Sequence, residues 1–267
     1  MFRITSQAMP HTRRDTLTRR DALGLAAGTL AASLIPSRFA TAAEKIEVVV
    51  FDAFPVFDPR PIFESLDTVA QGRGKAFGDL WRTRQFEYTW LRTVGGEYED
   101  FWKVTRDALL YAAEALDIDI TPRQTNMIMD RYLTLKAWPE APAALAALKA
   151  EGYRLAFLSN FTPRMLQAAI ASAGLEGSFE QALSTDALQT YKPDPRAYRM
   201  AVEVLHVPRD RILFVPFAGW DAAGAKWFGY ETFWVNRLGT PPEALGVKAD
   251  GMGRNLDDLV AYLRLRV

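Results

Sequence analysis

Four short apolar runs in this chain each lead into a polar residue able to do chemistry. Val48-Val49-Val50-Phe51 closes on Asp52, and Leu155-Ala156-Phe157-Leu158 runs into Ser159-Asn160. The strand-like stretch from Phe179 to Ser184 precedes Thr190-Tyr191-Lys192-Pro193-Asp194, and Ile212-Leu213-Phe214-Val215 leads to Gly219-Trp220-Asp221. Unbroken apolar runs of this length suit strands buried on both faces, because alternation is needed only where one face meets water. Helix-like segments separate them. The pattern predicts an α/β fold: a parallel sheet covered on both faces, with polar groups gathered at the carboxyl ends of the strands.

The alternation is interrupted once. Between 59 and 137 no strand pattern appears, and helix-like blocks occupy 61–70, 76–94, 97–116 and 122–135. Phe77, Leu80, Trp81, Arg84, Tyr88 and Leu91 recur there at helical spacing. Further on, helices at 141–151, 163–173, 195–205, 221–228 and 256–265 separate strands at 154–159, 179–184, 212–216 and 231–236. Gly152, Gly174 and Gly229 close three of these helices. The expected organisation is a Rossmann-like core from 43–58 and 138–267, with a helical cap at 59–137 inserted after the first strand. A cleft between a core and an insert commonly holds a small ligand.

Composition narrows the chemistry. The 267 residues contain no cysteine and two histidines, His11 and His206. That excludes a thiol nucleophile, a disulfide and cysteine-bound zinc, and leaves a Ser-His-Asp triad or a multi-histidine metal site almost without material. A nucleophile must come from Asp, Glu, Ser, Thr, Lys or Tyr. Thr18-Arg19-Arg20-Asp21-Ala22-Leu23 precedes an apolar stretch at 25–35 and then Ala40-Thr41-Ala42. A twin arginine, a short apolar region and a small-residue cleavage site form the layout of a Tat-type export signal at 1–42. A membrane anchor is the competing reading, but the apolar stretch is too short to span a bilayer comfortably. Cleavage after Ala42 would remove six arginines and two aspartates from a chain with 32 residues of each sign, leaving 26 basic and 30 acidic, a net −4. The expected product is periplasmic, without stable membrane contact and without the basic footprint that nucleic acid requires.

The order Asp52, then Ser159-Asn160, then Lys192, then Asp221 resembles the four-motif layout of the haloacid dehalogenase superfamily. A longer segment sharpens the resemblance. Leu80-Trp81-Arg82-Thr83-Arg84-Gln85-Phe86-Glu87-Tyr88-Thr89-Trp90-Leu91-Arg92 is similar to the Trp-Arg-x-x-Gln-x-Glu-Tyr-x-Trp segment of type II (S)-2-haloacid dehalogenases.

The resemblance implies roles for individual residues. Asp52 is the nucleophile, Lys192 pairs with it, and Asp221 helps place the hydrolytic water. Arg82 and Asn160 receive the halide, and Ser159 binds the substrate carboxylate. Tyr198 lines the site, and Phe54, Phe86, Phe101 and Trp220 form an apolar pocket wall. Each residue also has a plain structural reading. Asp52 and Asp221 suit helix or turn caps, Ser159 and Asn160 a strand-to-helix turn, Lys192 a loop, Arg82 a solvated helix face, and the aromatics ordinary core. The implied reaction is attack of Asp52 on C2 of a short (S)-2-haloalkanoic acid, then hydrolysis of the aspartyl ester to the (R)-2-hydroxy acid. It needs neither metal nor organic cofactor. Members of the family often form dimers, and the aromatic-rich 80–92 segment offers an interface.

Three departures from the family pattern stand out. The first loop, usually Asp-x-Tyr-Gly-Thr-Leu-x-Asp, is Asp52-Ala53-Phe54-Pro55-Val56-Phe57-Asp58, one residue shorter and without the Gly-Thr step. Phe54 lacks the tyrosine hydroxyl. Pro216-Phe217-Ala218 stands where Ser-Ser-Asn usually precedes the last Asp. These losses fall on ester hydrolysis and not on halide capture, so alkylation of Asp52 is expected to survive while hydrolysis is slow or uses another water route. Two other readings stay open: a phosphatase on the same fold, and a weakened periplasmic binder of small carboxylates. Phe54 in place of a second Asp, and a single acid at the fourth motif, weigh against the phosphatase.

Overall fold

The computed structural model describes residues 45–266; the proposed export signal lies outside the described residues. In chain order, β1 (Val48–Phe51) passes through a single helical turn, α1 (Ala53–Val56), into β2 (Phe57–Asp58). The inserted helices follow: α2 (Arg60–Glu64), α3 (Asp67–Ala70), α4 (Gly74–Gly95), α5 (Phe101–Ala115) and α6 (Pro122–Asp130). The chain returns through β3 (Lys136–Ala137), which pairs antiparallel with β2 and sets Phe57 opposite Ala137. The insert therefore leaves and rejoins through one short ribbon.

The rest alternates: α7 (Ala141–Ala150), β4 (Arg154–Ser159), α8 (Pro163–Ala173), β5 (Gln181–Ser184), α9 (Pro195–Leu205), β6 (Ile212–Val215), α10 (Gly219–Phe228), β7 (Glu231–Val235), β8 (Gly251–Gly253) and α11 (Leu256–Arg264). The six-stranded sheet has the order β5-β4-β1-β6-β7-β8, and all of its neighbours are parallel. This is the expected α/β architecture. β1 lies inside the sheet, so its four residues are fully buried. Alternate side chains serve opposite layers, as the two-residue period of a strand requires. Val49 and Phe51 join one apolar cluster, which continues into the inserted helices. Val48 and Val50 join another with Tyr198, Phe214 and Tyr230.

The order of the strands puts Asp52 beside β4 and β6, because Val50 pairs with Ala156 on one side and Phe214 on the other. Two helix starts at this end, those of α8 and α9, are capped from the sequence. Thr162 accepts from the Met165 amide at 3.2 Å ahead of Pro163, and Asp194 accepts from the Arg196 amide at 2.8 Å ahead of Pro195. Among the inserted helices, α4 and α5 are joined by buried polar contacts. Trp81 Nε1 donates to Thr105 O at 2.8 Å, and Gln85 Nε2 donates to Thr105 Oγ1 at 2.7 Å.

The sequence reading misses α1, β2, β3 and β8, and merges α2 with α3. The β2–β3 ribbon is too short to show periodicity. The block at 61–70 is two helices, broken at Ser65–Leu66. The edge strand β8 is Gly-Met-Gly and has no apolar alternation at all. Its glycines answer to packing: a Cβ on Gly251 would lie 2.6 Å from a Tyr262 ring carbon and 2.7 Å from one of Phe233. Here α11 sits directly on the strand backbone.

Candidate active site

β1 delivers Asp52 to the carboxyl edge of the sheet, where the Asp52 amide donates to Val215 O at 3.0 Å and extends the pairing with β6 by one residue. Lys192, from the loop between β5 and α9, places its ammonium between two carboxylates. Nζ lies 2.9 Å from Asp52 Oδ1 and 2.6 Å from Asp221 Oδ2. The three side chains differ in access. Lys192 is 1% exposed and Asp221 2%, whereas Asp52 retains 16%. Asp52 is thus the member of the trio open to a ligand, and the other two form its floor.

This floor is electrostatically balanced. Burial pushes the Asp221 carboxyl up; the Lys192 charge opposes that and the Asp52 charge adds to it, leaving Asp221 at about 6. Burial pulls the Lys192 ammonium down, but the carboxylates of Asp221 and Asp52 outweigh it and leave its pKa raised. At neutral pH the pair therefore stands as ammonium and carboxylate. The cation between the two acids is the lysine itself, an arrangement that does not favour the phosphatase reading.

Asn160 and Ser159 end β4 beside Asp52. Two donors fix the Asn160 amide oxygen: the Lys192 backbone N–H at 3.0 Å and Thr185 Oγ1 at 3.3 Å. The amide NH2 is left as the group that can serve the cavity. Ser159 Oγ accepts from the Phe161 amide at 3.2 Å, so its own proton is free to donate to an anion. Above them is a cavity of about 410 Å³, lined by these residues and by Phe54, Phe86, Trp90, Phe101 and Trp220. Its aromatic wall is knit together: Phe86 and Trp90 both meet Trp220 edge-on, with centroids 5.2 and 5.6 Å away. Arg82 reaches the same cavity from α4. Its neighbour Arg84 is spent on Glu87 at 2.7 Å. Arg82 makes no hydrogen bond or ion pair with the described residues, so its guanidinium remains available.

Ten of the eleven residues singled out from the sequence line this cavity. Tyr198 is the correction. It is fully buried and stands behind Asp221, donating to Asp221 Oδ1 at 2.7 Å. It does not line the cavity; it holds Asp221 from behind. Its own hydroxyl is pushed well up, first by burial and then by the Asp221 charge. The wall at 216–218 is apolar, as its sequence requires. The Phe217 ring meets Phe54 at 5.7 Å, and the Phe217 carbonyl is taken by Trp234 Nε1 at 3.0 Å.

Sequence reasoning missed Asn236, Leu238, Thr240 and Glu243, which come from the loop after β7 and line the outer cavity. Nothing local marks them, because they reach the site only through the position of β7 in the sheet. It missed Trp138, which follows β3, and Arg237, which follows β7; both bond the chain just after Asp52.

An accessible Asp on a parallel-sheet edge, floored by Lys and a second Asp, is an arrangement suited to a hydrolase. The haloacid dehalogenase-like hydrolase family model matches residues 26–229, and the chain belongs to that family. It is 39% identical over 206 residues to an (S)-2-haloacid dehalogenase from Pseudomonas sp. (strain YL), covering 77% of this chain and 89% of that protein. A crystal structure of an L-2-haloacid dehalogenase superposes with a TM-score of 0.81 at 41% identity, over 82% of this chain and 99% of the other. The L-2-haloacid dehalogenase from Xanthobacter autotrophicus, with chloropropionic acid covalently bound, superposes with a TM-score of 0.75 at 34% identity, over 82% and 98%.

Proposed function

We propose that this protein is a hydrolytic dehalogenase of short (S)-2-haloalkanoic acids, with 59–137 serving as a cap over the core at 43–58 and 138–267. The observation that carries the reading is the trio's asymmetry of access. Asp52 opens into a cavity that also holds an unpaired guanidinium, while its partners Lys192 and Asp221 are sealed beneath it.

The chemistry balances with the side chains present. The Ser159 hydroxyl and nearby amides hold the substrate carboxylate. An Asp52 oxygen forms a bond to C2 as the carbon–halogen bond breaks, and the halide leaves with the electron pair. Arg82 and the Asn160 NH2 receive charge that grows only as that bond breaks, so they stabilise the transition state more than the ground state. The aromatic wall keeps water away from the carboxylate and raises its nucleophilicity. Water then adds at the Asp52 carbonyl carbon. The ester C–O bond breaks, the (R)-2-hydroxy acid leaves with the oxygen that came from Asp52, and Lys192 and Asp221 carry the proton balance.

Support for the substrate class comes from the relatives, named as (S)-2-haloacid and L-2-haloacid dehalogenases. The test is halide release from (S)-2-chloropropionate, with and without chelator, beside Asp52→Asn. Chelator-insensitive release that Asp52→Asn abolishes is expected; stable, folded protein that releases no halide would overturn the reading.

Two further readings concern export and assembly. The Arg19-Arg20 segment points to export by the Tat route into the periplasm, which cell fractionation with and without Arg19→Lys/Arg20→Lys tests. Leu91, Val94, Leu110 and Tyr111 are exposed on α4 and α5 and fit a homodimer contact. Sedimentation of wild type against Val94→Glu would read it directly.

A further inference from the structure

The turn after Asp52 differs from the family's usual loop, and its carbonyls are all taken. α1 is one helical turn, with Asp52 as its N-cap. An isolated turn is unstable in water, because nucleation fixes several residues for one hydrogen bond. Its last carbonyls have no partners within the helix and must be satisfied from outside. Ala53 O accepts from the Phe57 amide. Phe54 O accepts from Trp138 Nε1 at 2.9 Å, Pro55 O from an Arg237 guanidinium N–H at 2.7 Å, and Val56 O from the Trp138 amide at 3.0 Å. Three of the four donors come from two residues distant in sequence.

These two residues also hold each other. The Arg237 guanidinium lies over the Trp138 ring at 4.1 Å, and Arg60 approaches the same ring at 4.7 Å. Arg237 is 7% exposed and pairs with Glu140 at 2.6 Å. A cation at the carboxyl end of the turn also complements its dipole. Trp138 sits where the chain returns from the insert through β3, and Arg237 just after β7, so the clamp ties three separate loops around the nucleophile.

We propose that Trp138 and Arg237 are positioning residues for Asp52, in place of the Gly-Thr step that the shortened loop lacks. They do not touch substrate. They fix the turn whose N-terminus is the nucleophile, and thereby the line of approach of its carboxylate to C2. An in-line displacement is sensitive to that line, since a displacement of the reacting atom by about 1 Å costs about 100-fold in rate. The kinetic side of the proposal rests on the dehalogenase reading above; its structural side does not.

Trp138→Phe keeps the ring and its stacking with Arg237 while deleting one donor. Two measurements decide the matter: the rate constant for alkylation of Asp52, followed by intact mass in a single turnover, and amide exchange between Ala53 and Asp58, with the Asp52 amide as internal reference. Tyr262→Phe, which loses a hydrogen bond to Glu231 far from the cavity, controls for loss of stability alone. The expected result for Trp138→Phe is alkylation slowed about 10-fold, KM changed less than about two-fold, and faster exchange confined to the turn. Tyr262→Phe should lower Tm and leave the alkylation rate unchanged. Unchanged alkylation and unchanged exchange in Trp138→Phe would overturn the proposal, as would slowing by Tyr262→Phe to the same extent. If wild type forms no adduct and releases no halide, the dehalogenase reading fails; exchange in the turn then decides the clamp by itself.

Discussion

Asp221 and Lys192 share one ionic site, and their titrations should be visible in the reaction. Asp221 is held at about 6, chiefly by burial. Below that pH it takes up a proton and its pairing with Lys192 weakens. Esterification removes the Asp52 charge that adds to this shift, so the ester-hydrolysis rate is expected to fall only as pH drops below about 6, and a stopped-flow profile that separates the two steps will show it. A hydrolysis limb flat to below the ordinary carboxylate value of about 4 would contradict this assignment. The same shift acts on stability with a definite sign. A carboxyl raised in the folded state binds its proton more tightly there, so the contribution of Asp221 is largest below its unfolded value and declines as pH rises through about 6. Lys192, raised by its two carboxylates, contributes stability that is complete below its unfolded value and is lost in alkali above it. Arg82 makes a separate prediction. If Arg82 receives the halide as proposed, Arg82→Gln should slow alkylation by the chloro acid by about 100-fold. The bromo acid, whose halide leaves more readily, should suffer less; equal losses for both would argue against halide capture.

At the scale of elements, strand ends were legible because both of their determinants are local. An unbroken apolar run announces a buried strand, and the next polar residue must then lie on the sheet's edge. Asp52, Ser159, Asn160 and Asp221 were found that way, and Lys192 from its motif. Tyr198 was read one layer out of place, because the helix face that buries it is set by packing of α9 against α10. Trp138 and Arg237 were illegible, since they act through main-chain carbonyls 84 and 182 residues away in sequence. The contact between α9 and α10 is itself testable. A Cβ on Gly224 would collide with the Tyr198 hydroxyl and approach Pro193 Cβ to 2.8 Å. Gly224→Ala should push Tyr198 off Asp221, cost about 1–3 kcal/mol in chemical denaturation, and slow ester hydrolysis more than alkylation. Wild-type stability and rates in Gly224→Ala would show that the contact is slack.

For the whole molecule, the parallel order of the sheet is what makes the site. Placing β1 between β4 and β6 brings Asp52 against both later strand ends, and the insert returning through β3 closes the cavity with aromatics. The apolar wall at 216–218 then leaves the second half-reaction to the floor of the trio. Everything turns on Asp52 forming the bond to carbon. Turnover of (S)-2-chloropropionate in heavy-oxygen water, with enzyme in excess, tests this most directly. If Asp52 is the nucleophile, the first hydroxy acid released carries ordinary oxygen, and the heavy oxygen appears in the peptide that contains Asp52. Heavy oxygen in the first product, with an unlabelled Asp52 peptide, would mean that water attacks C2 itself.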